Sequence, residues 1–169
     1  MSEQTNQING VDVEGLRRFR DQARQDLSCA DRNPQLVATW VGADGSRVKL
    51  RDIELDVGVP GRMNPMQLLL ASLAACDVDV IATHASLLGI ELEKLSIEAT
   101  GHFNVRSYLG IEGAPGSGYD QIAYTVRLRA PRATREQLSR LRAALERSSP
   151  VGDSLNRPVA LRMSFEAET

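Results

Sequence analysis

Cys76 is one of two cysteines in the 169 residues, and it stands near the middle of the longest apolar stretch, residues 64–90 (NPMQLLLASLAACDVDVIATHASLLGI). A cysteine does nucleophilic chemistry as the thiolate. Here ionisation is opposed by burial in an apolar segment and by the negative charges of Asp77 and Asp79 that come directly after it. The start of the segment is too distant to help, because a helix dipole acts only within its first turn. By residue type alone Cys76 therefore reads equally as an inert packing thiol and as a reactive one. His84 falls two turns along on the same stripe as Leu73, Cys76 and Val80, and reads as a base or as a core histidine. Cys29, in a polar segment, is a second thiol that could resolve an oxidised Cys76 only if the two Cα atoms come within about 7 Å. His84 and His102 are the only histidines and no Cys/His cluster occurs, so no metal site and no cofactor are expected.

The element that positions Cys76 is a helix. Asn64 is a good N-cap and Pro65 suits the first helical position. Leu and Ala dominate the run after Pro65, and the helix is predicted to extend to about Leu88, with Gly89 ending it. At ~1.5 Å per residue it spans on the order of 35 Å. The uncharged part is shorter than the ~20 residues a membrane crossing needs, and two aspartates interrupt it. A core helix is the expectation, with neither membrane nor nucleic acid as partner. Net charge is −2, the arginines alternate with acids, and aromatics are few, which excludes a basic nucleic-acid-binding face. Two cysteines make no disulfide framework. The N-terminus is polar, with no basic-then-apolar leader, so a cytoplasmic location is expected.

In chain order, residues 1–11 read as a loosely tethered lead. Asp12 caps a helix to about Leu27 with an apolar stripe of Leu16, Phe19, Ala23 and Leu27, either a solvated appendage or a dimer contact. Residues 35–42 are β-prone, and Asp44-Gly45 signals a hairpin turn. Residues 47–57 read as one return strand whose alternation slips at Arg51-Asp52, which suggests a bulge. Strands are expected over 95–105 and 119–130, separated by a glycine-rich loop. A helix capped by Thr134 covers 135–148 and stops before Pro150. The last strand is expected over 158–166, with Val159, Leu161, Met163 and Phe165 facing inward. The order is not alternating βα, so the class is α+β with a mostly antiparallel sheet. Residues 1–33 form the lead and appended helix, and 34–169 the main domain. Two helices on so thin a layer leave the long one incompletely covered, and a second subunit is expected to bury part of it.

Residues 61–76, GRMNPMQLLLASLAAC, resemble the OsmC/Ohr family, in which a Gly-x-Asn-Pro segment leads into a buried helix carrying a peroxidatic cysteine. Ser149-Pro150-Val151, with Ser154-Leu155 beyond it, resembles the family's second-cysteine segment, and the likeness extends over roughly 35–168. The resemblance implies an intertwined homodimer with sites at the subunit interface. It also implies reduction of organic hydroperoxides by a cysteine pair, assisted by an arginine and a glutamate. Carried over residue by residue, Cys76 takes the peroxidatic position and Ser149 replaces the resolving cysteine. Met66 stands where the family's glutamate comes after Asn-Pro, and Ala43 where the hairpin arginine would be. Arg47 and Arg62 flank these segments and are the candidates to supply the missing cation. Two functions are expected on these grounds. One is a one-cysteine peroxidase acting on hydroperoxides and regenerated by an external thiol. The other is a non-catalytic homodimer that binds a small apolar ligand at its interface.

Overall fold

Asn64 opens the central helix with a reciprocal cap: its side chain accepts from the Gln67 amide at 2.8 Å, and the Gln67 side chain accepts from the Asn64 amide at 3.0 Å. The computed structural model describes residues 7–42 and 45–168. In it, four helices and seven strands run in the order β1 (Gln7–Ile8), β2 (Val11–Asp12), α1 (Val13–Gln25), β3 (Val37–Trp40), β4 (Ser46–Leu50), β5 (Ile53–Val57), α2 (Pro65–Leu87), β6 (Lys94–Phe103), β7 (Tyr119–Arg129), α3 (Arg135–Ser148) and α4 (Pro150–Asn156). Every strand pairing is antiparallel, in separate sheets of two, three and two strands. The class is α+β, as expected.

The core lies where α2 and α3 pack on the β6–β7 ribbon. Ile81, Ala85, Ile90 and Leu141 are buried there, backed by Leu95, Ile97, Val126 and Leu128 from alternate strand positions. Along α2 the buried stripe is Leu73, Asp77, Ile81 and Ala85, at four-residue spacing. Cys76, Val80 and His84, expected on the buried stripe, are one position aside and half-buried. By length and apolarity α2 would suffice to cross a membrane, but an aspartate sits at the centre of its inward face.

Four expectations are corrected. Residues 47–57 are not one bulged strand. Arg51 and Asp52 form a two-residue turn, with Arg51 at φ 54°, and Leu50 pairs with Ile53. The slip in alternation was the chain reversing. The lead is not loose throughout: residues 7–12 form a hairpin whose Asn9 side chain bonds Ser86 Oγ, the Ile90 carbonyl and the Leu92 amide. Pro150 does more than terminate α3, since it opens α4. Residues 158–166 form no strand and pair with none of the three sheets. Val159, Leu161, Met163 and Phe165 are all exposed, Leu161 at 94%.

Candidate functional site

Ser149 is the hinge of the site. It ends α3 and begins α4, a Ser-Pro pair being a strong helix start. Its Oγ accepts the Gly152 amide at 3.0 Å. A side chain on Gly152 would put its Cβ 2.7 Å from that Oγ, so the bare glycine lets the first turn of α4 close on the serine. The Ser149 hydroxyl donates to Asp77 Oδ1, and Cys76 Sγ lies 3.9 Å from the same Oγ. Three neighbours thus form a chain, Cys76–Ser149–Asp77, in which one serine hydroxyl touches both the thiol and the carboxylate. Both cysteines are free thiols.

Asp77 is fully buried, at 0% exposure. Among the described residues its Oδ2 is the only buried side-chain polar atom without a hydrogen-bond partner. Such an orphan costs a fold about 1–3 kcal/mol, more when it is charged. Tyr124, on β7, stands beside it. Burial, and next the negative charge of Asp77, push the Tyr124 phenol above its ordinary pKa of 10.0.

Tyr124 lines two clefts. One, of about 490 Å³, runs along Leu69 and Leu73 of α2, Ile122 of β7, and Gly152 and Leu155 of α4. Its lining includes Gly152, whose amide is capped by Ser149 Oγ. The other, of about 510 Å³, lies between Val126, Leu128 and the α3 leucines Leu138, Leu141 and Leu145.

The remaining sequence candidates fall elsewhere. Met66 is in the first turn of α2, where its carbonyl accepts the Tyr119 hydroxyl at 2.7 Å. Tyr119 lies across Gly101 of β6, where a Cβ would clash with the ring at 2.5 Å. With Trp40, Phe103 and Tyr108, Met66 also lines a cleft of about 750 Å³. Arg47 is engaged across the β4–β5 pair, with its Nε 2.9 Å from Asp56 Oδ1. That bond, and next the charge of Asp56, raise the guanidinium's pKa. Arg62 is exposed in the loop before α2 and helps to lower the Asp56 pKa, behind the larger effect of Arg47. Ala43 lies outside the described residues. Cys29 sits in a short 3-10 turn, Leu27–Ala30, after α1, where its carbonyl accepts from Arg32 at 2.9 Å. His84 is held below its ordinary pKa of 6.5, by burial first and then by Arg20 and Arg147.

Sequence reasoning took Asp77 only as a charge unfavourable to the thiolate. Its signal was position, since an acid four residues after Leu73 and four before Ile81 occupies the apolar stripe itself.

Comparison with known proteins places the fold. The family model described as OsmC-like protein matches residues 58–164, a span that holds Cys76, Asp77, Tyr124 and Ser149. The chain belongs to the OsmC-like family. Solved structures agree on the OsmC fold. The OsmC-like protein of Mycoplasma pneumoniae superposes with a TM-score of 0.63 at 16% identity, over 75% of this chain and 89% of that one. A protein of Aquifex aeolicus gives 0.59 at 17% identity, over 75% and 89%. A Legionella pneumophila protein described as an organic hydroperoxide resistance protein OsmC gives 0.53 at 21% identity, over 75% and 90%. No curated protein matches the sequence. The OsmC-like match begins just after β5, so β1, β2, α1, β3, β4 and β5 precede it.

Proposed function

We propose that this OsmC-like chain is a one-cysteine, thiol-dependent peroxidase that reduces apolar organic hydroperoxides at Cys76, in a homodimer. The observation that carries the reading is the contact at 3.9 Å between Cys76 Sγ and a hydroxyl, that of Ser149. A resolving thiol at that place would close the catalytic cycle as an internal disulfide, and a serine cannot. In the first half-reaction the Cys76 sulfur attacks the outer peroxide oxygen. An S–O bond forms, the O–O bond breaks, the sulfur becomes a sulfenic acid and the hydroperoxide leaves as its alcohol. An external thiol then condenses with the sulfenic acid to a mixed disulfide and water, and a second thiol releases Cys76. The cleft along Leu69, Leu73, Ile122 and Leu155, which also carries Asp120, Gln121 and Asn156 and adjoins Ser149 through Gly152, gives an organic group apolar contacts that hydrogen peroxide cannot use.

Dimerisation is supported by surface. The chain exposes 13585 Å², whereas a folded monomer of 18.5 kDa exposes about 8,200 Å² by the usual scaling. The apolar side chains at 159, 161, 163 and 165 and the open β3–β5 meander are part of that excess.

The test is the mass of a dimedone adduct at Cys76 after brief exposure to a stoichiometric organic hydroperoxide, with hydrogen peroxide as control. An adduct formed selectively with the organic hydroperoxide is expected, and its absence in folded, reduced protein overturns the reading. The second reading, a non-catalytic dimer holding a small apolar ligand, draws on Arg47 being committed to Asp56. It predicts no adduct, and saturable binding of an apolar fluorophore.

A further inference from the structure

Asp77 is the buried group that the thiol chemistry above does not use. It is fully enclosed, one oxygen accepts a hydrogen bond from the Ser149 hydroxyl, and the other has no partner at hydrogen-bond geometry, with the Tyr124 phenol standing against the carboxylate. The groups facing it are Ser149 from the α3–α4 junction and Tyr124 from β7, with the charge of Glu146 on α3 reaching the tyrosine. No cation is among them, so Asp77 is not held as half of an ion pair by the described residues. The hydroxyl that links it to Cys76 can pass a proton either way, since a serine oxygen both donates and accepts.

We propose that Ser149 and Asp77 form a proton relay for Cys76: Asp77 takes the thiol proton through the Ser149 hydroxyl, and the relay returns it to the departing alkoxide. This rests on the peroxidase reading for its second half only. In the first half, the Cys76 S–H proton moves to Ser149 Oγ as the Ser149 proton moves to Asp77 Oδ1. The products are a thiolate, a neutral serine and a neutral carboxylic acid. In the second half, the thiolate displaces alkoxide from the hydroperoxide, Ser149 gives its proton to the alkoxide, and Asp77 refills Ser149. The net reaction is thiol plus hydroperoxide to sulfenic acid plus alcohol, with no proton drawn from solvent. Ser149 touches the reacting sulfur and is a catalytic residue in this scheme, whereas Asp77 acts through it. The relay would do the work of the arginine and glutamate that the sequence lacks at Ala43 and Met66.

The discriminating variant is Asp77→Asn, which keeps an oxygen to accept from Ser149 but cannot carry the proton. If Asp77 were only a negative neighbour, its removal would ease ionisation of the thiol and speed Cys76. A relay predicts the opposite sign. The measurement is the iodoacetamide alkylation rate of Cys76 at pH 7, read by mass spectrometry on folded protein, in parallel with its reaction with an organic hydroperoxide. Asp77→Asn and Ser149→Ala are each expected to slow alkylation about tenfold, with the double variant no slower than either, because they break one chain. Ser149→Thr, which restores the hydroxyl, is expected to recover most of the loss. Should Asp77→Asn fail to fold by circular dichroism, the Ser149→Ala and Ser149→Thr pair decides. Equal or faster alkylation in Asp77→Asn or Ser149→Ala overturns the relay, as does a wild-type Cys76 that labels only on unfolding. Alkylation that depends on Asp77, without any reaction with hydroperoxide, keeps the relay and overturns the peroxidase.

Discussion

At the scale of single residues, the chain makes its unusual choices on α2. Asp77 lies on the buried stripe, where an apolar residue is the rule. His84 is half-buried on the same helix. Burial and then Arg20 and Arg147 lower its folded pKa below the ordinary 6.5, so the unfolded chain takes the proton first. Stability from this site is intact above about pH 6.5 and is lost as pH falls through that value towards the lower folded one. The urea midpoint of the wild type is therefore expected to drop as the pH falls below about 6.5. His84→Gln should flatten that part of the curve, and a pH series of urea titrations on both proteins checks it. Cys76 was legible as the residue to watch because thiols are rare here. Asp77 was not, because its meaning depends on which helix face is inward, and an all-apolar first half hides the face.

At the scale of elements, local chemistry was the most legible. Asn64-Pro65, Gly89, Asp12 and Thr134 mark helix ends by hydrogen bonds made within a few residues, and α1, α2 and α3 start where the capping residues fall. Asn64→Ala removes the acceptor for the Gln67 amide and is expected to cost about 1 kcal/mol, read as a lower thermal midpoint. What misled was a break in pattern with two causes. A slip of alternation at Arg51-Asp52 fits a bulge or a turn, and the sequence around it carries no glycine or asparagine to favour the turn. The structure resolves it with an arginine in the left-handed region. Likewise Pro150 is compatible with stopping one helix and starting another, and only Ser149 before it points to the second.

At the scale of the whole molecule, the sequence carries information that one chain does not use. The alternation at Val159, Leu161, Met163 and Phe165 is a strand pattern without a sheet, and long-range pairing of that kind cannot be read from periodicity. On the dimer proposed above, these side chains meet the second subunit. Leu161→Asp together with Phe165→Asp should shift sedimentation from dimer towards monomer and lower the thermal midpoint. A wild type that sediments as a monomer at micromolar concentration would remove the dimer. Cavity-forming changes in the α2–α3–β6–β7 core should behave differently. Ile81→Ala, at a position 1% exposed, is expected to cost about 2–5 kcal/mol in denaturant titration.

The Asn9 clasp bears on time as well as on energy. Its three hydrogen bonds join residues 77, 81 and 83 positions apart in sequence. Contacts of such separation close a very large loop, and the entropy of closure must be met before they contribute. They are expected to form late in folding and to be lost early in unfolding. Asn9→Ala should therefore leave the folding limb of a chevron plot nearly unmoved. The loss, about 2 kcal/mol for these bonds, should appear as unfolding roughly thirtyfold faster. The hairpin at the start of the chain then acts as a latch on the far end of α2, and sets how long a folded molecule stays folded.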